Sequence, residues 1–367
     1  MKKLLIATKA QYGYHVDPYK YGYYIKESYE ITHISWDFGL PRAPEKGLKT
    51  IYISRKGNKI LRYYRFLKEI HREIRSQSYD IVFMVYFAGC SLIKLLNPGK
   101  TFNIDIRTAT DTKNETVNFL KDALLKWECA RFEHLTILSH GLAERLGMRN
   151  YHYLPLGGEP FCKKDKNFEK AHFLYVGTLE NRNLITFVRG FHRFLKVDEA
   201  SNASTLLTII GDGPGNELAE IRDYIHQHAL EKHIVTTGYI QNDNLSAHFD
   251  LANIGVSFVP MTPYYDHQPP TKTYEYLLSG MPVLATATTE NRKIIDESCG
   301  VLMRDDEEAV AAGLEEIVKK LGHFDSRTIR MRCRESAWSN ISQKNLKPYL
   351  DSLSSPADFS FHSQLQA

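Results

Sequence analysis

Long apolar runs are missing from this sequence of 367 residues. No window approaches the roughly 18 consecutive apolar residues that a membrane-spanning helix needs. The N-terminus, MKKLLIATKAQYGYHVD, loses its apolar character after Ala7, too early for the apolar region of a signal peptide. This segment therefore predicts a first β-strand, and no membrane-spanning helix is expected.

Cysteine is scarce, and its pattern excludes two kinds of stabilisation. The five cysteines are scattered and odd in number, and no C-x-x-C occurs (Cys90, Cys129, Cys162, Cys299 and Cys333). This pattern argues against a disulfide framework and against a paired-cysteine zinc site. It favours a reducing compartment, and we expect a cytoplasmic protein.

The common catalytic and metal-binding motifs are also missing. There is no H-E-x-x-H, no D-x-D, no paired Cys/His spacing, no G-x-S-x-G and no Walker A loop. The stretch IIGDGPGNELAEI resembles a dinucleotide fingerprint, but Asn216 stands where its third glycine is required, and the usual acidic residue after the next strand is absent. We interpret Gly211 and Gly213 as a tight turn that lines a ligand site, and we expect neither a metal nor a cofactor.

Composition is that of an ordinary globular protein, 43% hydrophobic and 25% charged, and the length suggests two domains.

Charged residues are distributed unevenly along the chain. Residues 1–160 contain 25 Lys and Arg against 16 Asp and Glu, whereas the remainder contains 22 against 27. A basic first half indicates an anionic partner such as a membrane surface, a phosphate-bearing substrate or nucleic acid, unless it is compositional drift.

Strand-like apolar runs alternate with helical patterns in both halves, which is typical of α/β domains with parallel sheets. In the first half the predicted strands are KKLLIAT, YEITHISW, KTIYIS, DIVFMVY, TFNIDIR and HLTILS. In the second half they are AHFLYVG, TLLTIIG, HIVTTGY, IGVSFVP, PVLAT and GVLM. Two doubly wound domains in series leave a cleft, and their ligands are expected at the carboxyl ends of the strands.

The proline, glycine and charged residues around 157–168 predict a domain boundary. We therefore predict an N-terminal domain at 1–157, a C-terminal domain at 168–338, a helix at 339–354 and a flexible tail at 355–367.

One basic helix is predicted between two strands of the first half. The segment NKILRYYRFLKEIHREIRSQ repeats apolar residues at three- to four-residue spacing (Ile60, Tyr64, Leu67, Ile70 and Ile74). Its arginines and lysines fall elsewhere on the helix. Two interpretations remain open: a crossover helix with a solvated basic face, or a helix that rests on anionic lipid headgroups.

The stretch PPTKTYEYLLSGMPVLAT predicts a short helix over Thr271–Ser279, started by the two prolines and ended by Gly280 and Pro282. Lys272 and Glu275 fall on one face of it. A lysine at a helix N-terminus suits a phosphate, and a carboxylate one turn on suits a ribose diol. The alternative is a surface ion pair.

Two further segments of the second half supply candidate ligand contacts. In YVGTLENRN, Gly177 permits close backbone approach and Arg182 reaches phosphates, unless the arginine is simply solvated. In TTGYI, Gly238 and Tyr239 offer groups to a base edge.

In the first domain, NIDIRTATD places Asp105 and Arg107 at a strand end, where they contact a sugar or phosphate or form a structural ion pair. The tyrosine-rich segment ATKAQYGYHVDPYKYGYYIKE is interpreted as a loop for sugar stacking or for packing.

Together, Gly177 and Arg182, GDGPG, TTGYI and PPTKTYEYLLSGMPVLAT resemble retaining glycosyltransferases of the GT-B fold, family 4. The resemblance is dense over 171–303 and thin in the first domain. The segment LPLGGE is similar to that family's interdomain segment, and the region Trp338–Leu353 is similar to its C-terminal helix, which crosses back to the first domain.

Some family positions are occupied differently. Glu275 matches the second glutamate of E-x7-E, which holds the donor ribose, and Lys272 matches the lysine of P-x-K-x-x-E-Y. The first glutamate is replaced by His267, beside Asp266, and the sequence leaves open which of the two meets the donor sugar. Thr178 stands where the family often has an arginine, and VYFAGC lacks the family's first-domain histidine.

The resemblance implies a metal-independent hexosyltransferase that moves a sugar from a nucleotide diphosphate to a glycan or lipid-linked hydroxyl with retention. It implies a role in cell-surface polysaccharide synthesis at the inner face of the membrane, and no nucleic-acid partner. Two alternatives stay open: a nucleotide-sugar 2-epimerase, which Asp266 and His267 permit, and an inactive glycosyltransferase-like partner protein.

Overall fold

The computed structural model describes residues 1–45, 47–110, 112, 114–198, 203–241 and 244–354. The chain divides into two compact units: unit 1 comprises Met1–Leu154 and the segment from Ile341 onward, and unit 2 comprises Pro155–Asn340. Residues 157–168, where the sequence predicts the boundary, therefore belong to unit 2. The predicted flexible tail at 355–367 lies outside the described residues.

Unit 1 is built on a parallel sheet of seven strands in the order β3-β2-β1-β4-β5-β6-β7. The strands are β1 Lys2–Thr8, β2 Tyr29–Asp37, β3 Lys49–Ser54, β4 Ile81–Val85, β5 Thr101–Ile106, β6 His134–Ile137 and β7 His152–Tyr153. The first six lie where the apolar runs predict them. The strand β7 has only two residues, too few for a sequence pattern.

Five helices connect these strands: α1 Val16–Ile25, α2 Lys59–Ser76, α3 Cys90–Leu96, α4 Glu115–Cys129 and α5 His140–Leu146. Helix α1 corrects the prediction of a tyrosine-rich loop. Its residues Tyr21 and Ile25, one helical turn apart, are fully buried. Four-residue spacing is the mark of a helix face, and the high tyrosine and glycine content obscured it.

The predicted apolar face of α2 is only partly buried. Ile70 and Ile74 lie in the core, but Ile60 is 83% exposed and Tyr64 is 61% exposed. Apolar periodicity identifies a helix face without showing what covers it, and here the face is exposed over the first two turns of the helix and buried further along.

A buried carboxylate ties α4 to the start of α3. Glu128 is 2% exposed. Its carboxylate accepts hydrogen bonds from the Gly89 N–H at 2.8 Å, the Ser91 N–H at 3.2 Å and the Ser91 hydroxyl at 2.8 Å, and also from the Tyr86 hydroxyl at 3.0 Å. It thereby satisfies N–H groups at a helix N-terminus, which have no partner within the helix, and its negative charge suits the helix dipole.

We expect Glu128→Ala to lower the free energy of unfolding of unit 1 by about 3 kcal/mol, because several buried donors lose their acceptor. Urea unfolding followed by circular dichroism measures this. The matched control is Glu133→Ala, since Glu133 is a nearby exposed carboxylate 3.9 Å from Lys94. The control is expected to change stability by less than about 1 kcal/mol. Equal effects of the two changes would contradict the capping role.

Unit 2 contains a parallel sheet of six strands in the order β10-β9-β8-β11-β12-β13. The strands are β8 His172–Val176, β9 Leu206–Ile210, β10 Ile234–Gly238, β11 Ile254–Ser257, β12 Val283–Thr286 and β13 Gly300–Met303. The chain winds outward from β8 through β9 and β10, then returns to the other side of β8 to form β11. The topological switch point of this sheet, where ligands bind in such folds, therefore lies between β8 and β11.

The helices of unit 2 are α6 Leu184–Val197, α7 Glu217–Gln227, α8 Ser246–Leu251, α9 Pro263–Asp266, α10 Thr271–Leu278, α11 Thr289–Arg292, α12 Glu307–Lys319, α13 Ser326–Cys333 and α14 Trp338–Asn340. Helix α10 ends as predicted. Gly280 has φ +74°, and the N–H groups of Gly280 and Met281 donate to Leu277 and Tyr276. These two bonds form a Schellman motif, which a glycine at this position permits.

The last described segment packs on unit 1. A π-helical turn, Ile341–Leu346, leads into α15, Lys347–Leu353. The Tyr349 hydroxyl donates to Asn103 at 2.7 Å, and the Tyr29 hydroxyl donates to Asp351 at 2.6 Å. The predicted fold class, two doubly wound α/β domains with a C-terminal helix returning to the first domain, is confirmed.

Candidate active site

Three predicted glycines meet at the carboxyl edge of the sheet in unit 2. The Gly177 N–H donates to the Ile210 carbonyl at 2.9 Å, and the Gly211 N–H donates to the Gly238 carbonyl at 2.9 Å. A Cβ atom at Gly211 would lie 1.8 Å from the carbonyl oxygen of Gly177. The backbones of β8, β9 and β10 therefore end side by side, with no side chain between the first two.

The loop after β8 is held against the neighbouring loop. The Leu179 N–H donates to the Asp212 carbonyl at 3.1 Å. Further along, Asn181 and Asn183 both have left-handed backbone conformations, with φ +56° and +49°. Such conformations are uncommon outside glycine, although asparagine tolerates them, and they concentrate at functional sites. The residue between them is the predicted ligand contact Arg182.

The guanidinium of Arg182 lies over a ring that the sequence did not predict. Its carbon Cζ is 4.6 Å from the centroid of the Tyr265 ring, and it donates a hydrogen bond to the Tyr265 hydroxyl. Tyr265 belongs to α9, which follows β11. Arg182 follows β8, so the contact spans the switch point of the sheet.

Lys272 lies in the first turn of α10, on the β11 side of the switch point. Its ammonium nitrogen is buried and has no hydrogen-bond partner among the described residues. It lies 3.8 Å from the centroid of the Tyr175 ring, and a Cβ atom at Gly177 would be 3.2 Å from it. The lysine and the glycine, distant in sequence, are therefore neighbours.

The surroundings of this ammonium group disfavour its positive charge. Burial lowers the pKa of Lys272 well below its ordinary value, and the nearby Arg182 lowers it further, whereas the Glu275 carboxylate raises it. Two cationic side chains thus converge on one edge of the sheet. No side chain caps the N-terminus of α10. An uncapped helix N-terminus beside two cationic side chains attracts an anion.

Buried contacts fix α10 and thereby the positions of Lys272 and Glu275. The Tyr276 hydroxyl accepts a hydrogen bond from the Val176 N–H at 2.9 Å. A Cβ atom at Gly255 would lie 2.2 Å from the Tyr276 ring, so the ring covers β11 directly. Glu275 itself is half-buried. The helix therefore holds Lys272 and Glu275 on rigid backbone.

His267 stands where the E-x7-E motif has its first glutamate, and Asp266 precedes it. The two side chains have different surroundings. Asp266 accepts hydrogen bonds from the N–H of Thr289 at 2.8 Å and from its hydroxyl at 2.7 Å. Burial raises the pKa of Asp266, but these bonds outweigh it, so the pKa lies below its ordinary value. The His267 ring nitrogen Nε2 lies 3.8 Å from Asp266. Asp266 is thus held by α11, and His267 stands at the end of α9.

The other two predicted contacts of unit 2 lie farther out along the same edge. The Gly213 N–H donates to its neighbour Asp212 at 2.8 Å, which shapes the turn after β9. Tyr239 follows Gly238 and is 71% exposed. Gly213 faces the loop after β8, where a Cβ atom on it would lie 3.2 Å from the Glu180 nitrogen, whereas Tyr239 directly follows β10.

Asp105 and Arg107 are buried in unit 1, among polar partners. Arg107 binds Asp17 at 2.5 Å and donates to the Leu154 carbonyl at 2.8 Å, and its nitrogen Nη1 lies 3.7 Å from Asp105. Burial raises the pKa of Asp105 to about 6, although Arg107 and a hydrogen bond from Thr136 oppose it. These contacts favour the structural ion pair. A role toward an acceptor stays a prediction.

The expected absence of a metal site stays a prediction as well. Within the described ranges, no group of three or more His, Cys, Asp or Glu side chains is placed to hold a metal ion. In that same part of the chain, no helix is both long and apolar enough to cross a membrane.

The sequence reasoning missed Tyr175 and Tyr265, the two rings beneath the cations. Tyr175 lies two residues before Gly177, so strand alternation places both on one face, and this signal was available. Tyr265 lies in a one-turn helix, PYYD, for which the sequence pattern gave no direction.

Comparison with known proteins agrees with this architecture. Residues 170–320 match the family model of the glycosyl transferases group 1. A search of curated proteins found no significant match.

Many solved structures share the fold. A glycosyltransferase from Rickettsia africae superposes with a TM-score of 0.72 at 12% identity, covering 97% of this chain and 99% of that chain. Anabaena HepE in complex with UDP gives 0.71 at 10% identity, covering 96% and 100%. The apo form of the lipopolysaccharide outer core galactosyltransferase WaaB gives 0.67 at 14%, covering 96% and 99%. UDP-forming trehalose-phosphate synthases are similar too.

At such low identities these structures establish the fold, which is GT-B. The family match covers the unit in which the glycines, Lys272 and Arg182 converge. Residues 170–320 are thus similar to the glycosyl transferases group 1, within a chain of GT-B fold, and together these findings support a glycosyltransferase.

Proposed function

We propose that this protein is a retaining, metal-independent glycosyltransferase of family 4. It moves a hexosyl group from a nucleotide diphosphate to a hydroxyl of a glycan or lipid-linked acceptor, in cell-surface polysaccharide synthesis. One observation carries the donor site: the buried ammonium of Lys272 lies beside Gly177 and near Arg182, and no described residue forms a hydrogen bond with it. A diphosphate supplies the negative charge that this pair of cations lacks.

In this proposal the diphosphate lies across the switch point, bound by Lys272, Arg182 and the N-terminus of α10. When the bond to the sugar breaks, negative charge builds on the leaving diphosphate. Fixed cations in a water-poor site stabilise that charge more strongly in the transition state than in the ground state. The bare backbone at Gly177 and Gly211 lets the phosphates approach closely.

The ribose, the base and the sugar of the donor contact other residues along the carboxyl edge of the sheet. Glu275, one turn from Lys272, accepts two hydrogen bonds from the ribose diol. The base lies toward Gly238 and Tyr239. Because Asp266 is bound by Thr289, we assign the place near the donor sugar to His267. We assign no protein nucleophile.

Unit 1 takes the acceptor in this proposal. Its excess of basic residues suits a lipid-linked or membrane-proximal glycan with phosphate groups nearby. We therefore propose a cytoplasmic protein that binds the inner face of the cell membrane peripherally. The acceptor proposal is independent of the donor site in unit 2, and the two are tested separately.

Calorimetry with UDP, GDP and ADP tests the donor site, and UDP comes first because HepE was solved with it. We expect one nucleotide to bind, and we expect Glu275→Ala to weaken it by about 10- to 100-fold, the effect of losing hydrogen bonds to a charged group. Glu297→Ala, an exposed carboxylate of the same unit, is the control and is expected to bind normally. If folded protein binds none of the three, the inactive-partner alternative replaces this proposal.

A further inference from the structure

Unit 1 exposes an unusual concentration of apolar side chains. Of the 22 large hydrophobic residues that are exposed in the described chain, ten lie on the three helices α2, α3 and α4. We call these ten residues the apolar patch: Ile60, Leu61, Tyr64, Leu92, Leu95, Leu96, Phe119, Leu120, Leu124 and Trp127. Contiguous exposed apolar surface of this extent marks an interaction site more often than chance exposure.

The three helices that carry the patch are neighbours in unit 1, with α3 in contact with both α2 and α4. The Tyr63 hydroxyl of α2 donates to the Ala88 carbonyl at 2.5 Å, just before α3. The Ser91 hydroxyl of α3 donates to Glu128 of α4 at 2.8 Å. Lys94 of α3 donates to the Arg131 carbonyl, just after α4, at 2.7 Å.

Helix α4 shows the arrangement most clearly, because its more apolar face points to solvent. Leu120, Leu124 and Trp127 recur at four- and three-residue spacing and are 61%, 41% and 55% exposed. The opposite face buries Leu125, Glu128 and Cys129. A helix normally turns its apolar stripe toward the core. Here the stripe faces outward, which indicates that something outside unit 1 covers it.

The charges around the patch favour a lipid surface over a protein. Lys121 and Lys126 are exposed and form no ion pair with any residue that the structure describes. The Arg131 guanidinium lies 3.4 Å from the centroid of the Trp127 ring. Protein interfaces are depleted in lysine, whereas helices that lie in the membrane interface combine lysine and arginine with Trp, Phe and Leu. Anionic headgroups would neutralise these cations.

We propose that the apolar patch inserts into the boundary between headgroups and acyl chains of an anionic bilayer. The inference rests on the membrane-proximal acceptor of the proposed function, and not on the donor chemistry. In this proposal, α3, α4 and the start of α2 insert into the bilayer. One interpretation from the sequence was a different mode, in which only the basic face of α2 contacts the lipid headgroups electrostatically. The two modes differ in salt dependence, because salt screens charge but does not weaken apolar burial.

Trp127 is a natural reporter of insertion. The other two tryptophans are buried, Trp36 at 9% exposure and Trp338 at 0%. Vesicles of phosphatidylcholine with phosphatidylglycerol are expected to shift the tryptophan emission to the blue, and Trp127→Phe is expected to abolish the shift. We also expect the protein to co-sediment with these vesicles at low salt and to be released only partly at high salt.

Variants distinguish vesicle binding through the apolar patch from nonspecific binding by any exposed apolar side chain. The triple change Phe119→Ser, Leu120→Ser and Leu124→Ser is expected to weaken vesicle binding by at least about tenfold, since it removes most of the buried apolar area of α4. The control is Leu251→Ser with Met331→Ser, two side chains of unit 2 exposed to 71% and 66%. It is expected to bind vesicles like the unchanged protein.

Three outcomes would overturn the inference. They are complete release by salt without an emission shift, equal loss of binding in both sets of variants, and self-association in light scattering that the triple change abolishes. The last result would assign the patch to a second copy of the chain. UDP calorimetry on the same samples distinguishes the two proposals. If the donor-site proposal is wrong, UDP does not bind, but the protein still binds vesicles.

Discussion

Lys272→Met is expected to lower the rate of sugar transfer by about 100- to 1,000-fold, the effect of removing one preorganised group that stabilises transition-state charge. The ammonium of Lys272 is buried over the Tyr175 ring and beside the bare backbone of Gly177. Methionine has a similar length and fills the same space without charge, so the loss reports on charge and not on shape.

The same change is expected to leave the free energy of unfolding unchanged or to raise it. This ammonium has no hydrogen-bond partner among the described residues and lies near Arg182. Burial of an unpaired charge destabilises a folded protein, and an apolar replacement of similar volume removes that penalty. A variant that loses activity but gains stability would separate function from folding.

The pH dependence of stability has a definite sign. Burial lowers the pKa of Lys272 in the folded protein well below its ordinary value. Between that lowered pKa and the ordinary one, the unfolded chain binds more protons than the folded chain, so stability rises with pH. Lys272→Met is expected to remove this slope. Diphosphate binding raises the pKa again, so nucleotide binding in this range takes up a proton.

Two measurements check these points. Product formation from a radiolabelled or fluorescent donor gives the rate, with Lys232→Met, an exposed lysine of the same unit, as the matched control. Calorimetry of nucleotide binding in buffers of different ionisation enthalpy gives the proton uptake. Full activity in Lys272→Met, or binding without any loss of affinity, would remove Lys272 from the donor site.

Much of the fold was predictable because every described strand except β7 is a short apolar run bounded by turn residues. The start and end of α10 follow from Pro270 and Gly280, whose effects on the backbone are local. Helix α1 was missed because its tyrosines and glycine suggest a loop, although Tyr21 and Ile25 have helical spacing. The local sequence therefore determines most helices and strands. In α1, the spacing of the buried residues indicates the helix, whereas the amino-acid composition suggests a loop.

The site was only partly predictable, for a different reason. Parallel strands bring their carboxyl ends to one edge, so the convergence of Gly177, Gly211 and Lys272 follows from topology. The stacking of Arg182 on Tyr265 does not follow, because it depends on how two loops from different strands pack. The outward apolar face of α4 was equally hidden, since periodicity shows a face but not the direction in which it points.

Gly211→Ala is expected to lower the free energy of unfolding by about 3–5 kcal/mol, among the largest effects that one substitution produces. Gly211 has φ +155°, a conformation that residues with a side chain rarely adopt. The added Cβ atom would lie 1.8 Å from the Gly177 carbonyl oxygen. That oxygen belongs to backbone fixed in the sheet, so no side chain can rotate away and one strand end must move.

The displacement also reaches the ligand. Gly177 lies beside the Lys272 ammonium, so moving its backbone disturbs the phosphate site, and nucleotide affinity is expected to fall together with stability. The matched control is Gly322→Ala, because a Cβ atom there meets nothing within 4 Å. It is expected to change the free energy of unfolding by less than about 1 kcal/mol. Chemical unfolding and UDP calorimetry on both variants decide the matter. If Gly211→Ala is as stable as Gly322→Ala, the two strand ends are not in the close contact that the donor site requires.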